Sequence, residues 1–319
     1  MNYSEPNYID NFNIYDILYN DNNELIIITP YIPNPFTIKY ITNENNIITF
    51  FLYKCPNNHT FIYSLNINYL QKIKLMINDC IIETTVNKYP NFIDEIIFST
   101  IVKNEDDFII PWIDYHVRLG VSRFIIYDNS INYTLSNILD DYIKKNIVLL
   151  IKWVYPYINN ISGISGQTTQ QNHSIYAFRN SKYIGLFDID EYVNIQGISN
   201  IQYFFKELII KENIDVDKIS SFRLLNKFFY NPSDLPVNNK KFLKIFNCDN
   251  ITKYGHEKNF VIPKNVITFS VHMVTSGKPM YDIDEKYIYF NHYYYLNKNS
   301  RGRNNTMLID DTILSHLHD

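Results

Sequence analysis

The sequence predicts an α/β protein: a mixed sheet flanked by helices, preceded by a small β-rich N-terminal domain. Three observations predict it. The first ninety residues hold short runs rich in Ile, Phe, Tyr and Thr, broken by Asn- and Pro-rich stretches. From about Asn91, apolar runs alternate with segments of helical period, the sequence form of βαβ units. The 319 residues are 46% hydrophobic and 19% charged, enough apolar material for a real core. The expected division is a β-rich domain over 1–92 and an α/β domain over 93–319.

In the first part, strands are expected at Leu25 to Thr29, Ile47 to Lys54, Thr60 to Asn66 and Ile81 to Val86. Four such runs need a sheet of three or more strands. In the second part Ile96 to Val102 reads as a buried strand. Asn104, Glu105, Asp106 and Asp107 then supply a polar cap and an acidic first turn. Pro111 fits within that first turn. Trp112, Ile113, His116 and Leu119 recur at helical spacing, and Gly120 ends the helix. Val121 to Tyr127 returns as a strand. A helix over Thr134 to Lys145, a strand over Ile147 to Val154, a helix over Gln170 to Asn180 and a buried strand over Tyr183 to Phe187 complete the alternation.

Charge and cysteine content narrow the function. With 29 Lys and Arg against 33 Asp and Glu, the net charge is −4. Nucleic acid is not expected as a partner, because phosphate contacts need a basic face. Cys55, Cys80 and Cys248 form no CxxC pair, which argues against a zinc ribbon or a disulfide framework, and the odd count fits a reducing compartment. The polar, acidic first twenty residues lack a signal-peptide pattern, and no run of eighteen apolar residues reads as a membrane span. A soluble, cytoplasmic protein is expected. Abundant Ile, Asn, Tyr and Phe follow from AT-rich codons, as in some large DNA viruses, which would place it in host cytoplasm or virion. The Asn-x-Ser/Thr triplets, such as Asn58 to Thr60, are then accidents of Asn frequency.

The sharpest motif is Phe187-Asp188-Ile189-Asp190-Glu191, directly after a buried strand. In an extended backbone residues i and i+2 project to the same side, so Asp188 and Asp190 would converge. Two hard oxygen ligands at a strand's carboxyl end suit Mg²⁺ or Mn²⁺ shared with substrate phosphates. Two nearby acids are also common in any solvated loop. A second block runs from Lys103-Asn104-Glu105 through Trp112-Ile-Asp-Tyr-His-Val-Arg-Leu-Gly120 to Tyr127-Asp128-Asn129-Ser130. His116 and Trp112 on an apolar helix face read as core. Asp128 and Asn129 also make a plausible turn, and Lys103 and Glu105 a plausible ion pair.

Together these blocks resemble the family 92 glycosyltransferases and related family 2-like enzymes of the GT-A fold. Order and spacing hold over residues 95–200. A weaker match continues through Lys258-Asn-Phe-Val-Ile-Pro263, Ser270-Val-His272 and Asn291-His-Tyr293. Asp114 follows Trp112-Ile113, and Tyr192 replaces the usual Phe. The family's extracellular members are membrane-anchored; with no anchor read here, a Golgi-like setting does not carry over.

The resemblance implies a GT-A-type Rossmann-like sheet and transfer of a sugar from a nucleotide diphosphate sugar to a glycan, glycoprotein or other hydroxyl acceptor. The donor would be UDP-linked with galactose favoured, and the transfer inverting. Lys103, Asn104, Glu105, Asp128 and Asn129 would hold the nucleoside. Arg179, Lys258 and Lys298 would approach phosphate. Asp188 and Asp190 would bind the ion, with a late histidine, either His272 or His292, completing a shell that favours Mn²⁺. His292 lies in an aromatic run that also reads as a buried strand. The catalytic base is sought between 223 and 258, with Asp234 and Glu257 as candidates.

Gly163-Ile-Ser-Gly166 lacks the frame of a nucleophile elbow and the Lys of a phosphate loop, and no HExxH, EF-hand loop or GxGxxG occurs. The competing readings are a non-catalytic glycan- or protein-binding relative and a metal-dependent phosphohydrolase. The N-terminal domain is expected to lend no ligand to the site: Glu24, Glu44 and Asp79 are scattered singly, and His59 lies in a turn from Pro56 to Thr60. A chain starting near Asn91 is expected to keep donor hydrolysis if it is soluble.

Overall fold

An eight-stranded mixed sheet organises the chain. In the computed structural model, which describes residues 3–20, 22–55, 60–158, 165–229, 247–248, 256–293 and 308–317, its order is Tyr3–Ser4, Val148–Lys152, Arg123–Asp128, Ile96–Val102, Tyr183–Leu186, Lys258–Val261, Ser221–Leu224 and Met280–Asp282. Four neighbours, from Val148–Lys152 to Tyr183–Leu186, are parallel. They are apolar runs buried on both faces, as parallel strands covered on both sides must be. The chain builds outward from Ile96–Val102 through Arg123–Asp128 to Val148–Lys152, then crosses to the other side with Tyr183–Leu186. That reversal leaves a crevice at the carboxyl ends of Ile96–Val102 and Tyr183–Leu186, where α/β sheets collect ligands. The remaining two long neighbours are antiparallel: Leu186 lies opposite Asn259, and Leu224 opposite Lys258.

Gly185 is in the middle of this sheet because a side chain does not fit there. A Cβ would stand 2.7 Å from the Phe98 ring, which stacks at 5.2 Å on Phe187, the residue that leads into the acidic motif.

Helix α1 (Asp106–Arg118) buries Phe108, Ile109, Trp112, Ile113, Tyr115 and His116, and ends at Gly120 with φ +95°. Because α1 starts at Asp106, Pro111 falls in its second turn, beyond the first turn the sequence suggested; it removes one rung of the helix ladder. The helix expected over Thr134 to Lys145 is interrupted at Leu139, giving α2 (Leu135–Ile138) and α3 (Asp140–Lys144). Helix α4 (Ser165–Ala177) starts five residues before the expected Gln170. Its apolar period is nearly absent because polar residues from Gln167 to Ser174 are all buried. Helix α5 (Ile201–Lys211) is capped by Asn200, whose Oδ1 accepts from the amides of Gln202 and Tyr203.

The N-terminal strands form two antiparallel sheets of four. One runs Asp16–Asn20, Glu24–Pro30, Thr60–Asn66, Phe51–Lys54; the other Ile47–Thr49, Ile38–Ile41, Lys72–Ile77, Cys80–Thr85. The single strand expected from Ile47 to Lys54 is thus split at buried Phe50, its halves joining different sheets. Residues 56–59, with the turn expected there and His59, lie outside the described residues. Leu18, Ile26, Ile28 and Ile62 share one core with Tyr127, Ile151, Trp153 and Tyr176. α4 therefore lies between the first N-terminal sheet and the large sheet, which is why its polar side chains are buried on every side.

A three-stranded sheet, Glu191–Ile195, Ile288–His292 and Asn226–Phe228, continues from the acidic motif. Among the described residues, no helix is long and apolar enough to cross a membrane.

Candidate functional site

The acidic motif leaves the large sheet through a tight turn. The Glu191 amide donates to the Asp188 carbonyl at 3.1 Å, and the Asp188 amide donates to Glu191 Oε2 at 2.9 Å. This turn replaces the extended backbone from which the sequence paired Asp188 with Asp190. Instead Asp190, Glu191 and His292 gather, with one ligand atom from each inside a span of 4.8 Å. Glu191 lies directly opposite His292 in the antiparallel ladder. His292 Nε2 stands 3.3 Å from Asp190 Oδ2, and Nδ1 stands 3.8 Å from Glu191 Oε1.

Asp188 faces other partners. Lys258 Nζ, 2% exposed, is 2.6 Å from Asp188 Oδ2 and 3.1 Å from Glu191 Oε2. The register that sets Asn259 opposite Leu186 delivers Lys258 to this point. Gln167 Nε2, in the first turn of α4, donates to Asp188 Oδ1 at 3.1 Å, and the Tyr157 hydroxyl donates to Gln167 Oε1 at 3.0 Å.

Crowded charges set the ionisation. Burial pushes the Glu191 carboxyl up to about 7, against the pull of Lys258. Burial would also raise Asp188, but the Lys258 ammonium, its hydrogen bond and the nearby His292 and His272 bring it below the usual carboxylate range. Burial opposes charge on Lys258 and His292 as well. It is outweighed by Asp188 and Glu191 for the lysine, and by Asp190 and Glu191 for the histidine, so both are raised.

His272 does not join the trio. Its Nδ1 is 3.0 Å from the Glu257 carbonyl oxygen, and its own carbonyl accepts from Asn259 Nδ2 at 2.7 Å. It remains close to the same charges: burial and then Lys258 lower its pKa, while Asp188 raises it. Glu257, a sequence candidate for the base, is buried and gives its main-chain carbonyl to this contact.

The other strand ends face the same edge. Asp128 is buried; its Oδ1 accepts from the Ser130 amide at 3.0 Å, and among the described residues Oδ2 has no close hydrogen-bond partner. Burial raises its pKa. Asn129 Nδ2 donates to the carbonyls of Trp153 and Tyr155 at 2.6 and 2.7 Å, a loop-holding role. Asn104, at φ +56°, donates its amide N–H to Ser130 Oγ at 3.1 Å. With Glu105, Asp106, Ser130, Asn132 and Thr134 it lines a cavity of about 310 Å³. Lys103 is exposed beside it.

Arg179 is not brought to this edge. It precedes the amino end of Tyr183–Leu186, donates to the carbonyls of Pro263 and Val266, and stacks on Tyr176. A phosphate held by the acidic turn is therefore out of its reach. Asp234 and Lys298 lie outside the described residues. Trp112 and His116 are core, as read from the sequence, and also brace the site from behind. Trp112 Nε1 donates to the Glu191 carbonyl at 2.9 Å, and His116 Nε2 accepts from the Val193 amide at 3.3 Å. Cys248 is buried.

Sequence reasoning missed Glu191 as a member of the trio, Gln167, Tyr157 and Phe228, whose ring lies 5.0 Å from His292. Only Glu191 carried a local signal, its adjacency to Asp190. The others meet the site through long-range packing.

Residues 95–319 match the profile of glycosyltransferase family 92. A family 92 protein of rice, Oryza sativa subsp. japonica, is 26% identical over 117 residues, which is 36% of this chain and 19% of that protein. Family 92 proteins of Ricinus communis and Arabidopsis thaliana are 30% and 32% identical over 100 residues, in each case 31% of this chain and 16% of the relative. The matches thus span less than a fifth of these relatives' length. The iron-containing dodecameric glycosyltransferase TibC of enterotoxigenic E. coli overlaps 50% of this chain and 38% of its own at 11% identity, with a TM-score of 0.14, too slight an overlap to bear on this fold.

Proposed function

The chain belongs to glycosyltransferase family 92, and from that premise we propose that it transfers a sugar from a nucleotide diphosphate sugar to a hydroxyl acceptor, with the help of a divalent ion. The observation that carries this reading is the gathering of Asp190, Glu191 and His292 within 4.8 Å at the carboxyl edge of the sheet. Two carboxylates and an imidazole are a donor set that fits Mn²⁺ or Mg²⁺, and the nitrogen ligand shifts the preference towards Mn²⁺. When bound, such an ion neutralises charge on the departing diphosphate.

The chain's own residues supply the rest. Lys258 holds Asp188 and Glu191 in one geometry, and Gln167 fixes the second oxygen of Asp188. The cavity at Asn104, Glu105 and Ser130, beside buried Asp128, is where the nucleoside would sit; its carboxylates suit ribose hydroxyls and an imide N–H. The finer reading is a GT-A-type domain over 93–319 with an accessory domain over 1–92, a UDP-linked donor, galactose favoured, a glycan acceptor and inversion at the sugar carbon. The resemblance of the motifs supports these, together with the strand order that places them on one edge.

The test is Asp190→Asn, assayed for UDP release from UDP-galactose and other nucleotide sugars with Mn²⁺. The variant should lose Mn²⁺-stimulated turnover while its melting curve stays cooperative. Unchanged turnover would remove the metal assignment.

A further inference from the structure

We propose that His272 is the general base of the transfer, accepting the proton of the incoming hydroxyl on Nε2. This assignment rests on the transferase reading above, but on different residues from the metal trio.

His272 ends a two-residue turn between the strands Val266–Ser270 and Met273–Gly277. The residue before it, Val271, has φ +28°. A β-branched residue there is strained and persists only where its surroundings impose it. Both carbonyls of the turn are gripped from outside. Asn259 Nδ2 donates to the His272 carbonyl at 2.7 Å, and Gln171 Nε2 donates to that of Val271 at 3.4 Å. Asn259 is next to Lys258, and Gln171 lies one turn along α4 from Gln167. The elements that hold Asp188 therefore also hold this turn.

The ring is fixed as well. A carbonyl oxygen only accepts, so the 3.0 Å contact to Glu257 requires the proton on Nδ1. In the neutral ring Nε2 is then a lone-pair acceptor. Among the described residues Nε2 has no hydrogen-bond partner, and the side chain is only partly buried. Among the described residues Lys258, Asp188 and His256 are the charged and titratable groups facing it; burial and then Lys258 lower its pKa and favour the neutral ring, the state a base needs.

Placement agrees with the chemistry. Ring contacts run from His292 to Phe228 at 5.0 Å, from Phe228 to His256 at 5.3 Å and from His256 to His272 at 6.0 Å. A chain of ring contacts thus joins His272 to His292 of the trio. In an in-line displacement the acceptor oxygen bonds to the sugar carbon while the bond from that carbon to the diphosphate oxygen breaks. The electron pair departs on the diphosphate, and the acceptor proton moves to His272 Nε2.

The experiment uses the full chain, with Mn²⁺ and UDP-galactose, water serving as acceptor. His272→Ala should lower UDP release at least 100-fold, and added imidazole should restore part of it. His272→Gln, which keeps a donor for the Glu257 carbonyl, should be equally slow yet melt like the wild type. Both variants should keep the rise in melting temperature produced by Mn²⁺ with UDP. If either variant turns over normally, or loses that thermal response while still folded, His272 is not the base; the second result would make it a metal ligand. If the wild type releases UDP from no nucleotide sugar in a panel, the transferase reading itself fails, and this assignment with it.

Discussion

Two buried polar clusters flank α4, and they are built on opposite plans. At one, Asp16 is fully buried and accepts five hydrogen bonds: from the amides of Asn7 and Ile17, Asn87 Nδ2, the Tyr89 hydroxyl and His173 Nε2, all at 2.7–2.8 Å. His173 Nδ1 meets the Tyr127 hydroxyl at 2.7 Å, so both ring nitrogens are used. At the other, three carboxylates, Asp188, Asp190 and Glu191, crowd around one lysine and one histidine. The first cluster is saturated and needs nothing further. With Glu191 ionised, the second holds three negative charges against the two of Lys258 and a protonated His292. Burial of charge serves stability in the first case; in the second it serves ligand binding if the proposed function holds.

The contrast can be broken at its largest scale by removing one side of the saturated cluster. A chain starting at Asn91 loses Asp16 and the sheet that covers α4. It is expected to show no cooperative melting transition, because buried His173 and the apolar face beneath the first sheet would meet water. A cooperative transition near that of the full chain would show that the N-terminal sheets are separable.

Single substitutions give the next effects. Asp16→Ala leaves a buried histidine without its acceptor and should cost about 3–5 kcal/mol in urea unfolding, with the Mn²⁺ response intact in the protein that remains folded. Asp190→Asn should do the reverse: a loss of Mn²⁺-stimulated UDP release of 100-fold or more, with about 1 kcal/mol or less of stability change at this partly exposed position. Equal losses of stability in the two variants would erase the distinction.

The pH dependence sharpens it further. Burial holds His116 down at about 3, against the Trp112 carbonyl that favours its charge, so it stays neutral in the folded chain while the unfolded chain binds a proton below its ordinary value of 6.5. Its contribution is therefore full above pH 6.5 and is lost at up to about 1.4 kcal/mol per pH unit as pH falls towards 3. Glu191 runs the other way. Raised from 4.5 to about 7, it keeps its proton in the folded chain where the unfolded chain has lost it, so its term weakens the fold as pH rises between those values. Since metal must displace that proton, the melting-temperature rise with Mn²⁺ should be larger at pH 8 than at pH 5.5. An equal rise at both would mean that Glu191 is not a ligand. The smallest effect is expected for Gln167→Ala, which frees one oxygen of Asp188 without removing a charge and should weaken UDP binding by roughly tenfold, near the lower end for one hydrogen bond to a charged group.

Elements with a strong local period were legible in advance. Ile96–Val102 and Tyr183–Leu186 stand out because strands buried on both faces are apolar throughout, and α1 because its apolar stripe, acidic first turn and terminal glycine agree. The strands Asp16–Asn20, Ile38–Ile41 and Lys72–Ile77 were not seen, since each mixes polar residues into a short run. α4 was placed five residues late because its burial on both sides removes the stripe from which a helix is read.

By itself the sequence determined the alternation of strand and helix, the three strand ends that carry Lys103 to Glu105, Asp128 and Asp188, and the acidic character of the last. Those are local properties, written in period and residue type. Tertiary structure decided which side chains meet. The turn after Phe187 sends Asp190 and Glu191 to His292, more than a hundred residues further along the chain, and sends Asp188 to Lys258. It also left Arg179 at the far edge of the sheet, and fixed His272 through Glu257, Asn259 and Gln171. Such choices depend on register between strands distant in sequence, where a shift of one residue exchanges every partner, and no local pattern records that register.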